Sequence, residues 1–266
     1  MRILLPPSEA KRSGGRGRSL NHRAAANSAR PQPIDASRQS VLAALARLVD
    51  TPAAAAALLL PPSIADEALA QNRRVASSPT LAAMRRYTGV VYDGLDVEGL
   101  SPAAQSLAGR ELLICSGLFG VLRGAEAIPA YRVPAKAALP GLGILATFWR
   151  PRLAELLPPM LGRGGLVLDL RSTDYAAMWQ PDRQCHTADR LLAVRVLSAK
   201  PDGQFGVISY PSKLAKGKLA AALLERQAAG LPVRSADDVA TTWAALGGRD
   251  ALTRTVRTGT ALDLIE

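Results

Sequence analysis

Ser116-Gly-Leu-Phe-Gly-Val-Leu-Arg-Gly-Ala-Glu-Ala-Ile-Pro-Ala-Tyr-Arg132 follows directly on the apolar run Leu112-Leu-Ile-Cys115. The pattern predicts a buried strand that breaks into a glycine-punctuated turn, with Arg123, Tyr131 and Arg132 close behind. Sheets of alternating strands and helices bind ligands at such strand ends. Glycine lets backbone approach a ligand closely, and arginine suits phosphate or carboxylate.

Two further apolar runs have the same character. Arg2-Ile-Leu-Leu5 reads as a short strand stopped by Pro6-Pro7, with a loop from Ser8 to Gly15. Gly165-Leu-Val-Leu-Asp-Leu170 reads as another, running into the polar turn Arg171-Ser-Thr-Asp174. Leu191–Leu197 and Val207–Tyr210 are strand-like, and Gly203 between them suggests a hairpin. The helical spacing of Val41, Leu42, Leu45, Leu48 and Val49 predicts a helix over Ala36–Asp50. Thr51-Pro52 resembles a cap and first turn for Ala53–Leu60. Ile64–Arg74, a helix capped by Thr80, one opened by Ser101-Pro102, Thr147–Leu157 and Leu214–Ala229 are further helices. Val90-Val91-Tyr92 is too short to classify, and Val256–Ile265 is strand or helix. The expected fold is mixed α/β: one domain spanning 1–266, with a mixed sheet and a helical insertion over about 36–86.

The chain has 266 residues, a formal net charge of +11, and 48% apolar but only 4% aromatic residues. Such a surplus favours phosphate polyanions, nucleic acid included, or a solvated basic surface with no defined ligand. The N-terminus has too short an apolar run for a signal peptide, and no run approaches membrane-helix length. The expectation is a cytoplasmic protein without a membrane partner. Cys115 reads as a reduced core thiol. Cys185-His186 offers two metal ligands without evident partners, so no metal site and no cofactor are expected.

Five turns share cations, hydroxyls and small residues beside apolar runs: Pro6–Gly15, Tyr87–Asp96, Ser116–Arg132, Asp169–Trp179 and Ser209–Lys218. If their strands share a sheet, they converge on one basic cleft where cations neutralise phosphate and hydroxyls donate hydrogen bonds. The binding candidates are Ser8, Lys11, Arg12, Ser116, Arg123, Tyr131, Arg132, Arg171, Tyr175, Lys213, Lys216 and Lys218. Tyr87 and Tyr92 either stack on bases or pack against the sheet. Asp169 with Arg171 is either a structural pair or a means of placing a general base. The acid–base candidates are Asp93, Asp169, Tyr92 and Ser172. Neither histidine suits a Ser-His-Asp triad, and no Walker A or GxGxxG pattern occurs. Trp149, Trp179 and Trp243 are read as packing anchors.

At these residues the chain resembles the YaaA (DUF328/UPF0246) family of peroxide-stress proteins. The resemblance is carried by Leu4-Leu-Pro-Pro-Ser-Glu-Ala-Lys11, Tyr87–Asp93, Ser116–Arg123, Ile128–Arg132, Phe148-Trp149, Asp169–Tyr175 and Ser212–Lys218. The opening Pro-Pro-Ser-Glu is similar to an actinobacterial-type branch. Asp169-Leu-Arg-Ser stands where many members have Asn-Leu-Ala-Ser, and Lys216-Gly217 where an Arg-Gly pair is usual. The resemblance implies a single mixed α/β body with a positively charged cleft. It also implies double-stranded DNA binding and a part in limiting iron-driven damage under peroxide. It brings no settled catalytic residues. The residues themselves leave a second function open: an enzyme acting on a small phosphorylated or nucleotide-like substrate in the same cleft.

Overall fold

A computed structural model describes residues 1–22, 33–182, 186–199, 204–256 and 259–265. The chain opens with β1 (Arg2–Leu5) and α1 (Pro33–Leu48), followed by α2 (Ala54–Ala57) and α3 (Ala65–Arg73). Then come β2 (Leu81–Ala82), α4 (Ala83–Arg86), α5 (Val90–Leu95) and α6 (Pro102–Glu111). β3 (Leu112–Ser116), β4 (Gly120–Arg123), β5 (Ala127–Ile128), β6 (Ala138–Leu139) and β7 (Gly143–Ile144) precede the long α7 (Leu145–Leu161). The remainder is β8 (Val167–Asp169), α8 (Thr173–Ala176), β9 (Leu191–Ala199), β10 (Phe205–Gly206), α9 (Ser209–Ala228), α10 (Ala236–Ala245), β11 (Asp250–Val256) and β12 (Gly259–Ile265).

One mixed sheet of eight strands organises the molecule, in the order β11-β12-β9-β8-β1-β3-β4 with β10 beside β9. β12, β9, β8, β1 and β3 are mutually parallel, while β4, β10 and β11 pair antiparallel to their neighbours. Taking β1, β3, β8, β9 and β12 as one to five along the chain, their spatial order is 2-1-3-4-5. This is a doubly wound order, and its direction of progress reverses between β1 and β8. Ligands of such sheets bind at that reversal, beyond the carboxyl ends of the strands. Parallel strands are covered on both faces and so read as unbroken apolar runs. Ile3, Leu4, Leu5 and the whole of Leu112–Cys115 are fully buried, as that rule requires.

The helices pack in two groups. α9 lies on α5, α6, α10 and β9, while α1 packs on α3 and α7. The crossing of α5 and α9 is backbone against backbone. A Cβ on Gly94 would meet the Leu214 carbonyl oxygen at 2.3 Å, and one on Gly217 the Val91 oxygen at 2.1 Å. That packing turns the unclassified Val90–Tyr92 into the first turn of α5. Ser101 caps α6 by accepting from the Ala104 N–H, and its own N–H and hydroxyl donate to Glu225 at 2.6 and 2.7 Å.

Several local expectations need correction. Thr51 does not cap α2; its hydroxyl donates to the Leu48 carbonyl at 2.8 Å. Thr80 does not cap α4; it bridges Gly17, and its hydroxyl donates to Arg18 O at 2.9 Å. The hairpin strand opposite β9 is Phe205–Gly206, not Val207–Tyr210, whose last two residues open α9. Val256 and Gly259–Ile265 resolve as strand, residues 257 and 258 lying outside the described residues: β12 adds parallel to β9, and β11 closes that edge. The tryptophans are anchors as expected. Trp149 Nε1 donates to Gly117 O at 2.7 Å and Trp243 Nε1 to Ile265 O at 3.1 Å.

Many arginines are consumed by architecture. Arg38 donates to the Phe119 and Val121 carbonyls and pairs with Glu126. Arg2 pairs with Glu111, and Arg190 donates to the carbonyls of Gly162, Gly164 and Gly165. Arg86 is fully buried and donates only to carbonyls, those of Ile128, Arg12, Gly14 and Pro79. Its charge therefore fastens the loop after β1 to the body.

Candidate functional site

The carboxyl ends of β1, β3 and β8 assemble a compact polar cluster. β1 ends at Leu5, and Lys11 then turns its amine back under the loop, donating to the carbonyls of Ser8 at 2.7 Å and Glu9 at 3.3 Å. The amine lies 4.2 Å from the Tyr131 ring centre and 5.2 Å from that of Tyr87. Burial chiefly, with Arg132 and Arg86 adding to it, lowers the Lys11 pKa to about 7; Glu9 opposes the shift.

β3 ends in Ser116, fully buried. Its hydroxyl oxygen accepts from the Phe119 N–H at 3.0 Å and lies 2.6 Å from the Tyr131 hydroxyl. Tyr131 in turn lies 2.6 Å from the Tyr87 hydroxyl, which makes a three-member hydroxyl chain. Tyr92 donates to Pro6 O at 2.8 Å, and its ring leans on Tyr87 at 5.3 Å between centroids. Burial raises the pKa of Tyr87, Tyr92 and Tyr131 well above the phenol value, so all three hydroxyls stay protonated. Both tyrosines of Tyr87–Asp96 are thus core residues rather than stacking platforms.

β8 ends in Asp169, whose carboxylate takes two side-chain bonds from Arg171, at 2.9 and 2.7 Å, and its backbone N–H at 3.0 Å. Burial alone would raise the Asp169 pKa, but the Arg171 guanidinium holds it below the ordinary carboxylate value. Arg171 also donates to Tyr175 O at 3.2 Å, approaches Cys115 Sγ at 3.8 Å and lies 5.5 Å from the Trp179 ring. Burial raises the Cys115 thiol, leaving it protonated and inert. From α9, Lys216 reaches Leu170 O at 3.3 Å; burial lowers its pKa, and Asp169 pulls the other way.

Beside this cluster lies a half-open pocket of about 250 Å³ lined by Glu9, Arg132, Lys136, Asp174 and Tyr175, with Leu58–Pro61, Pro134 and Ala135 as apolar walls. Arg132 Nε stands 3.9 Å from Glu9, and Lys136 pairs with Asp174 at 2.8 Å. One wall comes from the helical insertion, where Leu59 holds a left-handed backbone (φ 54°) and is 56% exposed. Non-glycine residues rarely adopt that conformation, and it concentrates at functional sites.

The structure therefore brings together Ser8, Lys11, Tyr92, Ser116, Tyr131, Arg132, Asp169, Arg171, Tyr175 and Lys216. It does not bring in Arg123. β4 runs antiparallel to β3, so Leu113 pairs with Arg123 while Ser116 pairs with Gly120. Arg123 thus sits at the opposite end of the strand and donates to Arg110 O at 3.3 Å. Arg171 is buried and committed to Asp169, which closes it to a bulky ligand. Arg12, Asp93, Ser172, Lys213 and Lys218 are exposed, with Arg12 3.4 Å from Glu98. Sequence reading missed Glu9, Lys136 and Asn72. The buried Asn72 on α3 accepts from the Arg132 N–H at 2.8 Å and donates to Arg132 O at 3.0 Å. Only a tertiary contact across 60 residues gives Asn72 that role. Cys185 of the Cys185-His186 pair lies outside the described residues. No group of three metal-ligating side chains occurs among the described residues, and no helix there is long and apolar enough to cross a membrane.

These features define the class: a doubly wound mixed-sheet α/β protein with a polar site at the reversal point of its strands. The chain belongs to the peroxide stress protein YaaA family, whose model matches residues 1–239. A UPF0246 protein of Streptomyces coelicolor is 41% identical over 226 residues, covering 84% of this chain and 83% of the relative. One of Corynebacterium efficiens is 36% identical over 225 residues, with 84% of each covered. Another, of Corynebacterium glutamicum strain R, is 34% identical over 246 residues, with 90% of each covered. The strands β11 and β12 lie beyond the matched residues.

Proposed function

We propose that this peroxide-stress family member binds a small phosphorylated or nucleotide-like molecule at the ends of β1, β3 and β8, and acts on it there. The observation that carries the reading is the convergence of Lys11, Ser116, Tyr131, the Asp169–Arg171 pair and Lys216 beside a pocket of about 250 Å³. That volume lies a little below the usual range for ligand pockets and suits a small metabolite. Arg132 and Lys136 at the rim suit an anionic group that takes the places of Glu9 and Asp174, the carboxylates now facing them. The Ser116–Tyr131–Tyr87 hydroxyls and the near-neutral Lys11 are groups that phosphate-backbone binding alone does not require. Thermal melting against nucleotides, phosphosugars and duplex DNA tests the reading. A rise in Tm with one small anion, abolished by Arg132→Ala, is expected; stabilisation by duplex DNA alone overturns it.

A second reading is double-stranded DNA binding in defence against peroxide and iron. It is favoured by the formal charge of +11 and by the exposed Arg12, Lys213 and Lys218. Backbone binding of this kind weakens steeply with salt. Affinity that stays flat between about 50 and 200 mM salt removes it.

A further inference from the structure

We propose that the pocket beside the strand ends binds a small zwitterion: its anionic group on Arg132 and Lys136, its protonated amine on Glu9 and Asp174, and its carbon frame against Leu58–Pro61. This assignment rests on the small-ligand reading above and deepens it, because the ligand then carries an amine as well as an anion.

The charge of the lining is the first support. The chain as a whole has a formal surplus of +11, yet the pocket sets two cations against two carboxylates, which cancel. Tyr175 adds no charge, because burial raises its pKa. A bare anion gains Arg132 and Lys136 only by leaving Glu9 and Asp174 without partners beside it, where they repel it. A zwitterion gives all four groups a partner of opposite sign. Complementarity of this kind decides which ligand a site accepts.

The pairs already present leave room for that exchange. Arg132 Nε stands 3.9 Å from the Glu9 carboxylate, beyond hydrogen-bond reach. Among the described residues the hydrogen bonds of Glu9 and Arg132 run through their backbones: Glu9 O accepts from Lys11, and Arg132 N–H and O engage Asn72. The guanidinium and the carboxylate thus keep donors and acceptors that a ligand can take, while Asn72 holds the Arg132 backbone in place. Lys136 and Asp174 meet at 2.8 Å, but they are 62% and 50% exposed, and surface pairs of this kind hold weakly.

The apolar wall calls for carbon in the ligand as well as charge. Leu59 presents its side chain to solvent there, its left-handed backbone fixed by bonds from Leu59 N–H to Ala56 O at 3.0 Å and from Leu60 N–H to Ala55 O at 2.9 Å. A ligand's carbon frame laid on it removes apolar surface from water.

Calorimetric titration of the full chain tests the assignment. The probes are two zwitterions, leucine and phosphoethanolamine, and their amine-free counterparts, isocaproate and ethyl phosphate. At least one zwitterion should bind about ten-fold or more tightly than its counterpart. Asp174→Asn and Glu9→Gln, with melting curves checked, should each weaken the zwitterion and leave the counterpart unchanged or tighter. Arg132→Ala should weaken both. Leucine as the tighter zwitterion assigns a carboxylate to the anionic half, and phosphoethanolamine assigns a phosphate. A counterpart that binds as tightly as its zwitterion overturns the amine and leaves the small-anion reading standing. Zwitterion affinity untouched by both carboxylate variants overturns the site. Failure of both zwitterions to bind at millimolar concentration overturns the assignment, and the small-ligand reading falls with it only when nucleotides and phosphosugars fail as well.

Discussion

Asn72 holds the backbone of Arg132 from both sides, accepting its N–H at 2.8 Å and donating to its carbonyl at 3.0 Å. The contact joins α3 of the helical insertion to the rim of the pocket. Removing the amide leaves two backbone groups without partners in a buried setting. Asn72→Ala should therefore cost about 2–3 kcal/mol by denaturant unfolding. Arg132→Ala should cost under about 1 kcal/mol, since its side chain makes only a loose ion pair near the surface. Equal losses from the two variants would show that the clamp contributes nothing special.

Asp169 and Arg171 form a buried bidentate pair, which sets up an asymmetry. Asp169→Ala strands a buried guanidinium and should cost about 3–5 kcal/mol, whereas replacing both residues with apolar ones should cost less than the single change. A double-mutant cycle measures this. The carboxyl pKa is depressed in the fold, so its contribution is complete above the ordinary carboxylate pKa. It is lost as pH falls through the lower, folded value. Acid unfolding should accordingly shift toward neutral pH in Asp169→Asn.

Lys11 gives the opposite pH signature. Its folded pKa of about 7 lies below the unfolded value of 10.5, so the unfolded chain binds more protons between those limits. Stability should rise with pH from about 7 to 10.5, by an amount on the order of a few kcal/mol, as the cost of the buried charge disappears. Lys11→Met should be more stable than the parent below pH 7 and should rise less steeply across that window, where the buried Lys216 still contributes a slope of its own. A parent protein whose stability does not change over the window would contradict the enclosed amine.

Gly217 is fixed by the approach of Val91 O, 2.1 Å from where a Cβ would stand. Gly217→Ala must part α5 from α9 and should lower stability by about 2 kcal/mol or more. Gly164, with nothing within 4 Å of its Cβ direction, is the control: Gly164→Ala should lie within about 0.5 kcal/mol of the parent. Thermal melting of the pair separates steric exclusion from any general effect of replacing glycine.

Much of this was legible in the sequence, and the unread parts share a cause. The parallel strands announce themselves because burial on both faces leaves unbroken apolar runs, as in Leu112–Cys115. The meeting of Ser8, Ser116 and Asp169 follows once those strands share a sheet. Arg123 misled because four residues of antiparallel strand carry it back to the far end of β3, and chain proximity to Ser116 hides that return. Val90–Tyr92 is helical because α9 packs on it, a fact lodged in Gly217 more than 120 residues away. Thr80 reads as a cap by local chemistry, yet its hydroxyl is claimed by Arg18 from another part of the chain.

The arginines at the pole where the parallel strands begin carry one last implication. Arg2 with Glu111, Arg190 on three glycine carbonyls, and Arg123 on Arg110 stitch one pole of the sheet, while the proposed site sits at the other. Mutational freedom is thereby partitioned. Exposed positions near the proposed site, such as Lys136 and Asp174, can change without loosening the seams that keep the protein folded.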